Sequence, residues 1–346
     1  MNRSAGFTKF AVVSLLAAAL NCLWAAPGPT QPRPELKIPV LISPVNSGPY
    51  VAWAVVQERA REWHPWIRPI AVETPGFVYN ITYMAKSPQL WKTNLYGSGT
   101  VAEWAAGVPF KPYFPEKVPA EDKKIIGVMA VTANIFVTLD PALKSPLDFK
   151  GKRVGVGLRT QNEWGMHPSM MLETLGIRKT LATLDNLGDQ QNIEALLDGR
   201  TDVGHLVVFF DTDQRNFLFA PPHRHLEASG RKFYYVSTPG SMIEEFNKKT
   251  GAKFHTINLA AGKMPNQPEP VVSFGNLLTL MAHKDFPEDA AYEFTKFWVD
   301  MAPKLAKLHG FGKPWSVQTL SYTAGENPGA FHPGALRAYR ELGAVK

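Results

Sequence analysis

The sequence predicts an α/β protein with two layered domains, and three observations support this prediction. Short apolar, β-branched stretches alternate with turns and helix-like stretches, which is typical of strands and helices packed in layers. The alternation begins again after Pro146. The 346 residues, 45% hydrophobic and 19% charged, are long enough for two domains and have the composition of a folded globular protein.

In the first domain, the pattern predicts strands at 36–44 and 67–73 and a helix at 50–63 between them. The stretch TPGFVYNITYM predicts a second turn and helix, and a third unit passes through 95–100. Residues 125–140 are long, apolar and β-branched, so they are predicted to form a buried strand.

The second domain is predicted to open with a strand at 152–157 and a helix after Pro168. An amphipathic helix follows in DQQNIEALLDGRTD, and Gly199 ends it. Strands are expected at 203–210, 232–238 and within 271–286, and a long helix begins at Pro287 with acidic residues in its first turn.

The N-terminus has the pattern of a secretory signal peptide. Arg3 and Lys9 precede an apolar run that ends in small residues, and cleavage is expected after Ala25 or Ala26. An uncleaved anchor is the alternative. The expected location is the periplasm.

Composition excludes several classes of function. Cys22, the only cysteine, lies in this leader, so the mature chain has no thiol for catalysis or for a cysteine–metal site. The net charge is +7, but no run of five or six basic residues occurs, so nucleic acid is not an expected partner.

No cofactor is expected. Gly155 and Gly157 fit the start of a dinucleotide-binding fingerprint, but Thr160 replaces its third glycine. Glu163 and His167 would share a helix face and suggest a metal, but Pro168 argues against a continuous helix there.

Catalytic and ligand-binding patterns are weak at two further places. His223, Arg224 and His225 follow two prolines and are interpreted as a solvated basic loop. Asp211 and Asp213 follow a buried strand, where they either cap the next turn or act as an acid–base pair.

Several strand-to-helix turns carry small or polar residues, namely SGPY, PGFVYN, YGSGT and LRTQNE. Such turns present backbone N–H groups at helix N-termini, which suit an anionic small molecule. Two α/β domains with such turns facing a cleft are typical of a solute receptor.

The order of segments resembles the TAXI-type solute receptors of tripartite ATP-independent periplasmic (TRAP) transporters. The resemblance lies in DFKGKRVGVG and MLETLGI, in EALLDGRTDVGHLVV, in HKDFPEDAAYEFTKFW and in the closing FHPGALRAYRELG. It implies a type II periplasmic-binding-protein fold with lobe I at 35–139 plus 271–346 and lobe II at 140–270. It also implies a small organic solute, with a carboxylate as the family's default, and delivery to an integral-membrane TRAP permease without catalysis.

This sequence departs from the family in the turn after KRVGVG, where Gln161, Asn162 and Glu163 replace S-G-T. Either Glu163 points away from the ligand, or the ligand has a cationic or hydroxyl-bearing part, and Arg159 could neutralise the carboxylate. The residues expected to bind the ligand are Tyr50, Asn80, Ser98, Thr160, Gln161, Asn162, Glu163 and Asp211.

Two alternatives stay open. One is a secreted hydrolase that uses cleft carboxylates. The other is a receptor of the same fold that serves a sensor or an ATP-driven importer.

Overall fold

A single mixed sheet of twelve strands organises the chain, with helices packed against it. The computed structural model describes residues 33–45, 47–119 and 121–346, and residues 35–346 form one compact unit. The predicted signal peptide lies outside the described residues. The α/β fold predicted from the alternation of apolar stretches is confirmed.

The strands, in chain order, are β1 (Leu36–Leu41), β2 (Ile67–Val72), β3 (Leu95–Gly99), β4 (Lys123–Thr138), β5 (Arg153–Val156), β6 (Thr183–Asn186), β7 (Val203–Phe210), β8 (Phe217–Phe219), β9 (Tyr234–Val236), β10 (His255–Leu259), β11 (Val271–Gly275) and β12 (Leu277–His283).

The helices are α1 (Gly48–Trp63), α2 (Phe77–Ala85), α3 (Thr100–Gly107), α4 (His167–Thr174), α5 (Asp189–Leu197), α6 (Pro221–Ala228), α7 (Gly240–Thr250), α8 (Glu288–Leu305), α9 (Val317–Leu320) and α10 (Pro333–Glu341). A π-helical turn, Asn162–Met166, leads directly into α4.

The sheet has two halves joined by β4. The strand order is β2-β1-β3-β12-β4-β7-β5-β6, with β1, β2 and β3 parallel in the first half and β5, β6 and β7 parallel in the second. The remaining strands extend the second half, where β8 pairs with β7, β9 and β11 pair with β4, and β10 pairs with β11.

Strand β4 belongs to both halves because it is sixteen residues long. Its first part pairs with β12 as far as Val131, and from Val131 onward it pairs with β7. Fourteen of its residues are buried, which explains why the sequence reads as a continuous apolar run.

The chain returns from the second half to the first between β11 and β12, beside β4. The amide of Thr132 donates to the carbonyl of Asn276 over 2.9 Å, so the two crossing strands touch at these residues. Gly275 allows this approach, because a Cβ there would overlap the carbonyl oxygen of Thr132.

Two local predictions were wrong. The residues around Arg224 form helix α6 instead of a loop, because Pro221 and Pro222 occupy the first two helical positions, which tolerate proline. Pro168 also does not separate Glu163 from His167. It lies in the first turn of α4, where its missing N–H costs nothing, and the π-helical turn continues the helix backwards.

No helix in the described part of the chain is long and apolar enough to cross a membrane.

Candidate functional site

A cavity of about 380 Å³ is lined by segments from both halves of the sheet. The first half and the C-terminal region contribute the ends of β1 and the starts of α1 and α2, and the second half contributes the turn before α4 and the starts of α5 and α6. The lining residues are Ser43, Pro44, Ser47, Gly48, Pro49, Val51, Gly76, Phe77, Gln161, Asn162, Glu163, Trp164, Asp189, Phe209, Leu218, Phe219, Ala220, Pro221, Arg224, Leu278, Leu308, His309, Gly310 and Phe311.

Four helices, α1, α2, α5 and α6, begin at the cavity wall. Ser47 caps α1 by accepting a hydrogen bond from the amide of Tyr50, and it also bonds the hydroxyl of Ser43. The other three helices have no side-chain cap. Helix N-termini carry partial positive charge, so their convergence favours a negatively charged group.

The rest of the wall is largely aromatic. Phe77, Trp164, Phe209, Phe219 and Phe311 line the cavity from several elements. The rings of Phe209 and Phe311, one from each side, are 5.5 Å apart. A solute in this cavity therefore meets apolar walls and only a few polar groups, as in most small-molecule sites.

Arg224 is the only arginine or lysine among the lining residues, and its guanidinium makes no hydrogen bond or ion pair with the described residues. It stays exposed at the wall. Burial and the neighbouring Arg224 lower the pKa of His309, so this histidine adds no positive charge at neutral pH. Arg224 is thus the group at the cavity wall that suits an anion.

Glu163 is only 3% exposed, and hydrogen-bond donors surround its buried carboxylate. Asn276 lies 2.9 Å from Oε1 and 3.1 Å from Oε2. The other donors are Asn162 to Oε1 at 3.1 Å, Thr132 to Oε2 at 3.0 Å, Asn134 to Oε2 at 3.3 Å and His167 Nδ1 to Oε2 at 3.2 Å.

These partners keep Glu163 ionised. Burial raises the pKa of its carboxyl group, but the attraction of His167 and the hydrogen bonds from His167, Asn276 and Thr132 outweigh burial, so the pKa lies below the ordinary value. Arg159, expected to neutralise Glu163, instead donates to Asn186 at 3.1 Å on the surface. That prediction was wrong, because the residue that contacts the carboxylate is His167, with Nδ1 3.2 Å from Oε2.

Glu163 also connects the cavity wall to the crossing strands. Thr132 lies in β4 where its pairing changes from β12 to β7, and Asn276 lies where the chain returns to the first half. The turn that carries Gln161 and Asn162 is therefore anchored at the point where the two halves join.

No group of three or more metal-ligating side chains occurs among the residues that the structure describes. The amide and hydroxyl donors that surround Glu163 occupy both of its oxygens, so the Glu163–His167 pair has no place for a metal.

A sequence model of the NMT1-like family matches residues 71–343, which is most of the chain and includes 18 of the 24 residues that line the cavity. The chain belongs to the NMT1-like family. No curated protein matches it by sequence.

Solved structures show which fold this NMT1-like chain has. A TctC solute-binding protein from Polaromonas, solved without ligand, is 14% identical with a TM-score of 0.50, and the match covers 90% of this chain and 99% of that one. A protein described as a periplasmic transporter is 13% identical with a TM-score of 0.50, covering 89% and 98%. An R. palustris protein solved with adipate is 12% identical with a TM-score of 0.50, covering 82% and 88%. The NMT1-like chain therefore has the α/β fold of periplasmic solute-binding proteins.

Three of the residues predicted from sequence line the cavity of this NMT1-like protein, namely Gln161, Asn162 and Glu163. Gln161 Oε1 accepts the amide of Leu158 at 3.0 Å, which closes the turn. The turn in which this sequence differs from the TAXI-type receptors therefore lies at the cavity wall.

Two predicted residues lie below the wall and hold the first half together. Asn80 is buried, and its Nδ2 donates to the carbonyls of Leu41, Ile42 and Gly97 at 3.2, 2.9 and 3.1 Å, so it ties β1 to β3. Ser98 donates to Glu103 at 2.6 Å. Both side chains are used inside the protein and neither lines the cavity.

Tyr50, Thr160 and Asp211 also lie outside the lining residues. Tyr50 packs half-buried against the core, and the carbonyl of Thr160 accepts the amide of Val78 at 3.3 Å. Asp211 accepts the amides of Arg215 and Asn216 at 2.7 and 3.2 Å and closes the turn after β7, which fits the capping alternative.

Several cavity residues were not singled out from the sequence, notably Ser43, Ser47, Arg224 and His309. Two prolines before Arg224 were a signal for a helix start, and a helix start at the end of a strand region is where anions bind. His309 carried no local signal, because only the folded chain brings it to the cavity.

Proposed function

We propose that this chain is a periplasmic solute-binding receptor that captures a small polar organic solute in the cavity between the two halves of its sheet. The observation that carries the proposal is the cavity itself, whose wall combines four helix starts, aromatic side chains from both halves and an arginine that is unpaired among the described residues. The lining hydroxyls of Ser43 and Ser47 bond each other, and among the described residues neither bonds a histidine or a carboxylate, so this wall suits binding of a solute and not its transformation.

The two halves act as lobes in this proposal. Lobe I consists of 35–139 and 271–346, lobe II consists of 140–270, and the hinge lies near Thr132 and Asn276. The crossing of β4 at Thr132 beside the β11–β12 junction at Asn276 is suited to a hinge, since a few residues at strand ends absorb the rotation. A leader at 1–25 would carry the chain to the periplasm.

The proposed solute carries a carboxylate, which Arg224 and the helix starts would bind. A planar guanidinium that has no partner among the described residues is free to bind a carboxylate with two hydrogen bonds. The adipate in the R. palustris structure makes organic acids the first class to test.

Delivery to a TRAP-type membrane permease, as for a TAXI-type receptor, completes the proposal. The segment order that resembles TAXI receptors supports it. Proteoliposomes that contain the permease encoded beside this chain's gene should take up the bound acid only when the receptor is added. Uptake that depends on ATP would indicate an importer of another class.

The first experiment is a thermal-shift screen of organic acids, amino acids and sugars on the exported protein. A solute at about 100 times its Kd adds about 2.7 kcal/mol to the free energy of unfolding, which raises Tm by several degrees. We expect organic acids to give such a shift. A protein that no solute stabilises, but that hydrolyses members of a substrate panel, would contradict the receptor function.

The second experiment tests Arg224. We expect Arg224→Gln to weaken binding of the best acid by about 10- to 100-fold, because a charge-assisted hydrogen bond is lost. Arg215→Gln is the matched control, since Arg215 is exposed, pairs only with Asp213 at 3.7 Å and does not line the cavity. Calorimetry measures both affinities, and equal loss in the two variants would remove Arg224 from the site.

A further inference from the structure

The side chain of Asn162 lines the cavity in a fixed orientation. Glu163 Oε1 accepts a hydrogen bond from Asn162 Nδ2 at 3.1 Å. Since an ionised carboxylate can only accept, the nitrogen of the Asn162 amide must face Glu163. The carbonyl oxygen Oδ1 has no partner among the described residues and is left for the cavity.

The carboxylate of Glu163 cannot rotate, so it keeps the Asn162 amide in this orientation. Thr132, Asn134 and His167 all donate to its Oε2, and Asn276 donates to both oxygens. These donors belong to β4, to the crossing before β12 and to α4, so three separate elements fix the carboxylate. Asn162 therefore presents a hydrogen-bond acceptor at a defined place in the wall.

We propose that Asn162, oriented by Glu163, determines the specificity of the cavity by requiring a hydrogen-bond donor on the solute. This inference rests on the proposed function. The solute is then an organic acid that also carries a hydroxyl or amino group. A site built to pair with a donor discriminates against the analogue that lacks it, because the acceptor is left without a partner when water is excluded.

The charge of Glu163 does not by itself contradict an anionic solute. His167 and the hydrogen-bond donors around Glu163 already satisfy its carboxylate, and Arg224 lies elsewhere on the wall. Two of the three departures in the turn, Asn162 and Glu163, thus act as one unit in which only Asn162 contacts the solute.

Replacing Glu163 by glutamine should reverse the preference. Thr132, Asn134 and His167 donate to Oε2 alone, so the glutamine oxygen takes that position and its NH₂ group replaces Oε1. Asn276 then keeps its contact with the oxygen at 3.1 Å and loses its contact with Oε1 at 2.9 Å. An N–H group then faces Asn162, which must turn its amide to accept it. Asn162 Nδ2 would point to the cavity, and the wall would present a donor in place of an acceptor.

The test compares pairs of acids that differ by one hydroxyl, such as malate with succinate and 4-hydroxybenzoate with benzoate. Calorimetry on the exported protein should show that one hydroxylated acid binds about fivefold or more tightly than its partner. In Glu163→Gln this preference should disappear or reverse. In Glu173→Gln, the matched control, it should persist, because Glu173 is exposed on α4 and does not line the cavity.

A second variant covers the case in which Glu163→Gln does not fold. Asn162→Leu keeps the size of the side chain and leaves Glu163 its four other donors, and it should remove the preference for the hydroxylated acid. This inference alone would be overturned if wild type bound the acids but preferred the hydroxylated member in no pair. It would also be overturned if the preference stayed unchanged in both Glu163→Gln and Asn162→Leu. Wild type that binds none of the acids would overturn the proposed function and this inference with it.

Discussion

At the scale of single residues, two cavity carboxylates have pKa values displaced in opposite directions. Burial raises the pKa of Glu163, but His167 and the hydrogen-bond donors outweigh it and bring the pKa below the ordinary 4.5. Burial raises the pKa of Asp189 above the ordinary 3.8, and hydrogen bonds oppose it only in part. A lowered carboxyl pKa adds stability above the unfolded value that is lost as the pH falls through the folded value, and a raised one has the opposite effect.

We expect Glu163→Gln to lower the free energy of unfolding at neutral pH by about 2–4 kcal/mol, because the charged partner of His167 and of the buried donors is lost. The difference from wild type should shrink as the pH falls from the ordinary 4.5 of the unfolded chain through the lower pKa of the folded carboxyl group, where folded wild type takes up its proton. Denaturant unfolding at a series of pH values measures this.

Asp189→Asn is the control, and it should change the free energy of unfolding in the opposite direction. Removing a charge that burial disfavours should stabilise the protein above pH 3.8, and the gain should vanish in acid. If the deficit of Glu163→Gln keeps the same size from neutral pH into acid, the ionised state of Glu163 is not what stabilises the fold.

At the scale of elements, the sequence was sufficient to predict strands where apolar residues form clear, uninterrupted stretches. The long apolar stretch became β4, and the stretches at 203–210 and 271–286 became β7 and the pair β11 and β12. It was insufficient where a proline had two interpretations. Pro168 predicted a break and the prolines before His223 predicted a loop, yet Pro168 and Pro222 both lie in the first turn of a helix, and only the fold decides between these positions.

The candidate site was predicted in part, for a similar reason. Reading strand-to-helix turns identified Gln161, Asn162 and Glu163 in the wall. The same rule chose Asn80 and Ser98, whose partners are backbone carbonyls and Glu103 inside the first half. Whether a polar side chain faces a cavity or ties two strands together depends on contacts distant in sequence, which local pattern does not contain.

At the scale of the whole molecule, the two halves meet at two kinds of contact. Near the crossing strands, Thr132, Asn276 and Glu163 share hydrogen bonds, so we expect this region to move little in the proposed rotation of the lobes. Farther out, the amide of Val78 in α2 donates to the carbonyl of Thr160 from the second half. In the proposed lobe closure, this contact belongs to the closed arrangement.

Gly76 makes the closed arrangement possible, and its replacement tests the hinge. Its φ of +140° is strained for any other residue, and a Cβ would overlap the carbonyl oxygen of Thr160. We expect Gly76→Ala to weaken binding of the best acid by about tenfold or more, because the closed population falls. Small-angle scattering should show that the acid compacts wild type and Gly325→Ala, whose position is open, but not Gly76→Ala. A Gly76→Ala protein that binds and compacts like wild type would refute closure through this contact.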